Sequence, residues 1–375
     1  MNDQHNPHEP NDPAVPAESL DLETLRRRID QVDETLVGAL AERARIVQDI
    51  GRFKQGEGSP IYAPDRESRV LQRVLQLNDG PLPDTTIEAI YRELMSGSFM
   101  LEKPLQIAYL GPPGTISHTA ALRHFGHSVE FCDMQQIDDV FKSVASGQCS
   151  YGYVPYENSI DGGITDTLDA LQEHQVQVYS EALIEVKQCL LSNWPLEQIR
   201  RVCSKPQALN QCRRWLAANL PHAEIVPAAS TAAAVITASK EEGTAAVGAV
   251  LAGEIYHVNV LLDSIQDKAN NITRFLVISR EHARPSGDDK TSLMFVTGHK
   301  PGSLVDVLAA FRDNQINLSH IDKRPSGRTN WEYTFFIDCD VHQDDPRMVN
   351  AIERASEHCV LIKVLGSYPR ATRIL

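Results

Sequence analysis

Apolar residues recur at steps of three and four through Leu22, Leu25, Ile29, Val32, Leu36, Leu40, Val47, Ile50 and Phe53, the period of one face of an α-helix. The spacing predicts a single long helix with a heptad-like seam. Ser19 is its expected N-cap, with Asp21 and Glu23 in the first turn, and Gly56, Gly58 and Pro60 end it. At about 1.5 Å per residue this helix is a rod roughly 50 Å long. Such a rod cannot bury its seam inside one small domain, so the pattern predicts a helical partner, a second subunit. Shorter helices are expected over Pro64–Asn78 and, after the turn Gly80-Pro81-Leu82-Pro83, over Asp84–Glu102. Residues 19–103 therefore read as an all-α module.

After Lys103-Pro104 the pattern changes to short apolar runs alternating with helical periods. Strands are predicted at Leu105–Leu110, Tyr151–Pro155, Gln175–Leu191, Ile199–Ser204, Glu224–Pro227 and Ala245–Val250. Helices are predicted near Ser117–Phe125, Ile137–Ser146, Thr165–Gln172, Pro206–Ala218 and Ser230–Ser239. This alternation predicts an open α/β unit over residues 104–282, divided into two lobes, with ligands beyond the carboxyl ends of its strands. Residues 283–375 read strand (Thr291–Thr297), helix (Ser303–Asn314), strand (Leu318–Arg324), strand (Trp331–Asp340), helix (Pro346–His358), strand (Leu361–Tyr368). That βαββαβ order is ferredoxin-like. Residues 1–18 carry four prolines and no apolar stretch, which predicts a disordered tail rather than a signal peptide.

Composition narrows the function classes. The net charge of −14 argues against nucleic-acid partners, and no apolar run approaches the ~20 residues that span a bilayer. The seven cysteines are scattered and form no CxxC pair, as expected of reduced thiols in a cytoplasmic protein. No histidine cluster has metal-ligand spacing, and no phosphate-binding glycine loop appears. A chain this acidic can hold small anions only where it gathers cations locally.

The first helix does so. Arg43 and Lys54 are eleven residues apart, about three turns, and share one face at a separation of roughly 16 Å. That span suits the two ends of a small dicarboxylate, although a solvated helix face would carry the same residue types. Arg26 lies about 100° round the helix and faces a different site. The run Leu25-Arg26-Arg27-Arg28-Ile29-Asp30-Gln31-Val32-Asp33, with Glu42-Arg43, Ile50-Gly51-Arg52-Phe53-Lys54, Pro60-Ile61-Tyr62 and Arg66-Glu67, resembles the all-helical chorismate mutase family. The resemblance implies that Arg26 (from a partner subunit), Arg43, Lys54 and Arg66 hold carboxylates, supported by Ser98. It places Glu67 on the ring hydroxyl, and Lys54 and Glu102 beside the breaking ether bond. The reaction is pericyclic and needs no nucleophile or cofactor, so a protein assists by holding a compact conformer and stabilising charge on the ether oxygen. Ala63 stands where many relatives carry an acid. Glu102 stands where relatives carry Gln or Glu, and a carboxyl donates a hydrogen bond only when protonated. Mutase activity is therefore expected to weaken as pH rises unless burial keeps Glu102 neutral.

In the middle segment, Asn271-Ile272-Thr273-Arg274-Phe275 sets a hydroxyl beside a guanidinium on an apolar strand. Four further motifs accompany it: Gly111-Pro112-Pro113-Gly114-Thr115-Ile116-Ser117-His118, Val154-Pro155-Tyr156-Glu157-Asn158-Ser159, Ser204-Lys205-Pro206-Gln207-Ala208-Leu209 and Ser230-Thr231-Ala232-Ala233. Their hydroxyls sit near expected helix starts, where they can be ordinary N-caps or mark anion sites. Together the five motifs resemble prephenate dehydratases. The resemblance implies that Thr273 assists loss of the ring hydroxyl, that Arg274 anchors the substrate, and that Thr115, Ser117, Asn158, Ser159, Gln207, Thr231 and Phe275 line its site. Lys205 stands where relatives usually carry His, and Glu157 reads as structural.

The last segment resembles ACT domains, through Pro301-Gly302-Ser303-Leu304-Val305 and Ile321-Asp322-Lys323-Arg324-Pro325. The resemblance implies phenylalanine contacts from Gly302, Ser303, Leu304, Val305, Asp322, Arg324 and Pro325, with feedback inhibition as the outcome. A plain dimerisation domain is the alternative. The whole is expected to be a cofactor-free, metal-free bifunctional enzyme acting on chorismate and prephenate, assembled as a homodimer or larger even oligomer. Two competitors stay open: a dehydratase whose helical module only dimerises, and a non-catalytic amino-acid-binding regulator. Thr273, Asn158 and Gln207 together speak against the regulator, because a sensor has no use for a leaving-group acid.

Overall fold

The structure, a computed structural model, describes residues 21–57, 60–327 and 332–375. The expected tail 1–18, the Ser19 cap, Gly58 and the strand start at Trp331 lie outside the described residues. Three helices come first: α1 (Leu22–Glu57), α2 (Pro64–Gln76) and α3 (Asp84–Glu102). At the start of α1 the Asp21 carboxylate accepts from the Thr24 N–H at 2.7 Å, satisfying one of the orphan donors of the first turn. Leu22, Ile29, Val32 and Leu36 on the seam are each more than half exposed. Only the second half of α1 packs against α3, where Gly51 lets the backbone of Glu102 approach.

The α/β unit starts with β1 (Gln106–Leu110), α4 (Ile116–Phe125), β2 (Glu130–Met134), α5 (Ile137–Ser146), β3 (Tyr151–Asn158), β4 (Gly162–Gly163), α6 (Thr165–Glu173) and β5 (Gln177–Glu185). The chain then crosses into a second lobe. That lobe holds β6 (Cys189–Leu191), β7 (Arg201–Ser204), α7 (Pro206–Gln211), α8 (Arg213–Asn219), β8 (Glu224–Pro227), α9 (Thr231–Lys240), β9 (Thr244–Gly248), α10 (Val250–Tyr256) and β10 (Val260–Leu262). It returns as β11 (Ile272–Ser279), which inserts between β3 and β5, antiparallel to both. The first sheet has the order β2-β1-β3-β11-β5 and the second β10-β6-β9-β7-β8. The single strand expected over Gln175–Leu191 is two strands, because the chain changes sheets between them. The helix expected over Pro206–Ala218 is likewise broken at Cys212, whose backbone leaves the helical region. The elements β2, β4, α10 and β10 are additions to those the sequence pattern predicts.

The last unit has β12 (Asp289–Thr297), α11 (Ser303–Asp313), β13 (Leu318–Pro325), β14 (Tyr333–Cys339), α12 (Pro346–Ser356) and β15 (Cys359–Pro369), in the sheet order β13-β14-β12-β15. Strand alternation splits its apolar residues between two cores. Leu293, Phe295 and Ile337 pack under α11 and α12 with Val307, Phe311 and Met348. Met294, Phe336, Leu365 and Tyr368 join the core of the first lobe instead. Each such side chain stabilises its interface by about 2 kcal/mol. Gly366 is required there, since a Cβ would collide with the Val178 carbonyl of β5. Tyr62 does the equivalent for the helices. It is buried among Phe99, Phe125, Tyr151 and Tyr179, and its hydroxyl meets His124 Nε2 at 2.9 Å. No described helix is long and apolar enough to cross a membrane.

Candidate active sites

A cavity of about 750 Å³ lies among the three helices, walled by Val47, Ile50, Phe53 and Phe99 and lined by Arg43, Lys54, Arg66, Glu67, Ser98 and Glu102. The eleven-residue step does put Arg43 and Lys54 on one face of α1. Arg43 Nη1 donates to Ser98 Oγ at 2.8 Å, which aims the guanidinium across the cavity from α3. Lys54 Nζ lies 3.1 Å from Glu102 Oε2 and 3.2 Å from the Ile61 carbonyl. Glu102 is thus met as an acceptor by an ammonium, where the sequence suggested a donor to an ether oxygen. Glu67 lines the cavity as well, with its carboxylate 3.4 Å from Arg92 Nη1 and hydrogen-bonded by Tyr62. Burial pushes the Glu67 carboxyl up, against the opposing pull of Arg92. Arg26 is exposed and does not line this cavity. It sits seventeen residues, roughly 25 Å, up the rod from Arg43.

A second cavity, of about 630 Å³, separates the two lobes of the α/β unit. Thr115, Ser117, Asn158 and Thr273 line it from the first lobe and Gln207 and Thr231 from the second, with Phe275 alongside. Asn158 Nδ2 donates to Thr273 Oγ1 at 2.8 Å, a contact made possible because the two residues are directly paired in the β3–β11 ladder. Phe275 stacks on Tyr153 with centroids 4.9 Å apart. Thr115 caps α4 by accepting from the His118 N–H, and Ser230 caps α9 by accepting from the Ala233 N–H. The starts of both helices therefore border the cleft, one from each lobe. Gln207 Nε2 donates to Asp161 at 2.6 Å. Among the described residues, Lys205 is the one Lys or Arg that lines the cleft. At the cleft edge Asp138, Glu173 and His174 bring one ligand atom each within 4.8 Å of one another, a grouping the sequence spacing did not show. Asp138 there is already engaged by His174 Nε2 at 2.6 Å and by Lys142.

Two expected cleft residues are elsewhere. Ser159 Oγ donates to the Asn270 carbonyl and accepts from the Ile272 N–H, tying the end of β3 to β11. Arg274 points to the opposite face of β11 from Thr273, as strand alternation requires, and does not line the cleft. It is buried against the C-terminal sheet, 2.7 Å from Glu181 and hydrogen-bonded to Asp338 and the Tyr368 hydroxyl. Its neighbour Glu157 makes a matching contact with His320 of β13 at 3.3 Å. In the C-terminal unit Gly302, Ser303, Leu304 and Val305 border a cavity of about 250 Å³. Asp322, Arg324 and Pro325 are not part of it. Asp322 abuts Gly163, and Arg324 forms a two-pronged pair with Asp169 of α6 at 2.8 and 2.7 Å.

Comparison with known proteins agrees with this three-part layout. Family models match for chorismate mutase type II over residues 25–103, prephenate dehydratase over 107–283 and the ACT domain over 291–357. The bifunctional chorismate mutase/prephenate dehydratase of Stutzerimonas stutzeri is 41% identical over 362 residues, covering 95% of this chain and 99% of that protein. The chain belongs to the bifunctional chorismate mutase/prephenate dehydratase family. The family protein of the same name from Aquifex aeolicus is 39% identical over 94% of this chain and 98% of that protein. Among solved structures, a prephenate dehydratase from Arthrobacter aurescens in complex with L-Phe superposes with a TM-score of 0.67 at 33% identity, covering 71% of this chain and 90% of that one.

Within this chorismate mutase/prephenate dehydratase framework, sequence reasoning missed several residues. Tyr179 of the dehydratase unit and Arg284, just beyond its C-terminal end, line the helical cavity, and Arg92 joins Glu67, Glu88 and the His124 carbonyl. Gln188 and Gln211 border the cleft. None of these lies in a motif, and only packing between distant segments brings them in.

Proposed function

We propose that the chain converts chorismate to prephenate in the helical cavity and prephenate to phenylpyruvate in the inter-lobe cleft, two successive steps of L-phenylalanine biosynthesis. The observation that carries this is that one chain encloses two separate cavities, each lined by residues of its own motif set. In the first, Arg43 and Arg66 hold the substrate's carboxylates in an apolar enclosure, and the Lys54 ammonium faces the charge that develops on the ether oxygen. Arg26 is too far along α1 to serve its own cavity, so it belongs to a partner's. The exposed seam of α1 supports the homodimer this requires.

In the cleft, the helix starts of α4 and α9 and the Lys205 ammonium receive the anionic ends of prephenate. Thr273 passes its proton to the departing ring hydroxyl while the ring carboxylate leaves as carbon dioxide, so water and phenylpyruvate are the other products. Solvent restores the threonine proton. Aromatisation drives the step, and no cofactor enters it. Lys205, an ammonium, favours the keto acid over an amine-bearing analogue.

Phenylalanine acts at the cavity bordered by Gly302–Val305 and damps the dehydratase. Arg274 and Glu157 are placed to carry that signal, because they adjoin Thr273 and Asn158 in the chain yet contact the C-terminal sheet. The functional units are residues 19–103, 104–282 and 283–375. The cytoplasm is the proposed compartment, in keeping with seven free cysteines. Incubating the purified protein with chorismate, with and without phenylalanine, tests the whole scheme by chromatography. Phenylpyruvate that falls on addition of phenylalanine supports it. Untouched chorismate with consumption of added prephenate reduces the helices to a dimeriser, and no turnover of either leaves a binding protein.

A further inference from the structure

We infer that Asn271 is a positioning residue of the dehydratase site, locking the Asn158 amide so that the Thr273 hydroxyl proton is aimed into the cleft. This rests on Thr273 being the proton donor proposed above.

The backbone N–H groups of Ile160 and Asp161 donate to Asn158 Oδ1 at 3.0 and 3.1 Å. A backbone N–H can only donate, so that end of the amide is the oxygen and its nitrogen must face β11. Its two hydrogens go to Asn271 Oδ1 and Thr273 Oγ1, each at 2.8 Å. Asn271 is oriented in its turn. Its oxygen faces Asn158, so its nitrogen donates to Gln211 Oε1 at 3.1 Å, and Gln211 Nε2 donates to the Asp161 carboxylate at 3.0 Å. The relay therefore has one allowed polarity, pinned by backbone donors at one end and a carboxylate at the other.

The consequence falls on Thr273. Its Oγ1 is an acceptor towards Asn158, and its own proton has no acceptor among the described residues, while the side chain borders the cleft. If the Asn158 amide turned over, the hydroxyl would donate to Asn158 instead and its proton would point away from the substrate. The Ile160 and Asp161 N–H groups oppose that turn at one end of the amide, and Asn271 Oδ1 opposes it at the other. Asn271 is fully buried, and both its polar ends are spent on protein partners. The relay also crosses between lobes, since Asn158 and Asn271 belong to the first and Gln211 lies on α7 of the second. The polarity is thus set when the lobes are together.

The test uses the full chain, with prephenate kinetics for the dehydratase and chorismate consumption as an internal control. Asn271→Leu keeps the size and removes the acceptor, and Asn271→Asp keeps the acceptor. The expected result for Asn271→Leu is a kcat lower by about 10- to 100-fold with KM within about threefold. Asn271→Asp should recover much of the loss, and Asn271→Leu should add nothing further in a Thr273→Val background. An unchanged kcat, a loss confined to KM, or an equal further loss in the Thr273→Val background overturns the inference. Should Asn271→Leu not unfold cooperatively, Gln211→Leu decides: kcat lower by roughly 3- to 10-fold at constant KM supports the relay, and full activity overturns it. A Thr273→Val enzyme with undiminished kcat instead removes the proton-donor reading itself, which is distinguishable because failure of Asn271 alone leaves Thr273→Val impaired.

Discussion

Arg274 of β11 and Asp338 of β14 form a buried ion pair, 2.5 Å between Nη1 and Oδ2, across the boundary between the dehydratase unit and the C-terminal unit. Burial works against the charged carboxylate, but the Arg274 guanidinium and the facing His320 hold Asp338 below the usual carboxylate range. Thr273, one residue back, opens onto the cleft on the other face of the same strand. Any shift of the C-terminal sheet is therefore felt one residue from the proposed proton donor.

Asp338→Asn removes one acidic partner of a buried guanidinium and is expected to cost about 3 kcal/mol in urea unfolding. Phenylalanine should then inhibit the dehydratase at least about tenfold less effectively, the scale of an ordinary coupling energy. A phenylalanine titration identical to that of the parent protein would remove Arg274–Asp338 from the transmission route.

The seam of α1 gives a second expectation. Val32→Glu with Leu36→Glu places charges on the exposed seam where the proposed partner helix packs. Sedimentation should show dissociation, and the mutase rate should fall by about 100-fold as the partner's Arg26 is lost, while prephenate turnover persists. A dimer of unchanged mutase activity counts against the two-chain site.

His124 predicts a pH effect on stability. Burial first, then the nearby Arg92, depresses its pKa from 6.5 to about 3. Between those values the unfolded chain takes a proton at His124 and the folded chain does not. The contribution is therefore complete above about pH 6.5 and is lost as pH falls towards 3, amounting to a few kcal/mol, at most about 5. His124→Gln keeps a hydrogen-bonding side chain beside the Tyr62 hydroxyl and should flatten the acid limb by about one proton in urea titrations from about pH 4.5 to 7.5. An unaltered slope shows that other groups set it.

The Lys54–Glu102 pair changes the pH expectation for the mutase. With Glu102 accepting from Lys54, Glu102→Gln loosens the ammonium for substrate and supplies an N–H of its own at every pH. Mutase kcat/KM above pH 7 should rise by roughly 3- to 10-fold, the worth of one hydrogen bond. A variant that is slower at all pH values would mean that the carboxylate orients Lys54 productively.

Much of this protein was legible in one dimension because it rests on local rules. Helix periods marked α1, α2 and α3, the βαββαβ order marked the C-terminal unit, and ordered motifs marked Thr273, Asn158, Arg43 and Lys54. Period and motif depend on neighbours a few residues away, and those are printed in the chain. The tertiary structure decided what each side chain meets. Alternation says that Thr273 and Arg274 face opposite ways, but only the docking of β12, β14 and β15 turned Arg274 into an interface residue. Asp322 and Arg324 were spent on Gly163 and Asp169 for the same reason, and Glu67 was met by Arg92 from another helix. Arg284 reached the helical cavity from a segment without any motif. A buried charge takes whichever partner satisfies it, and that partner is chosen by packing between segments more than a hundred residues apart, as with Glu181 and Lys290.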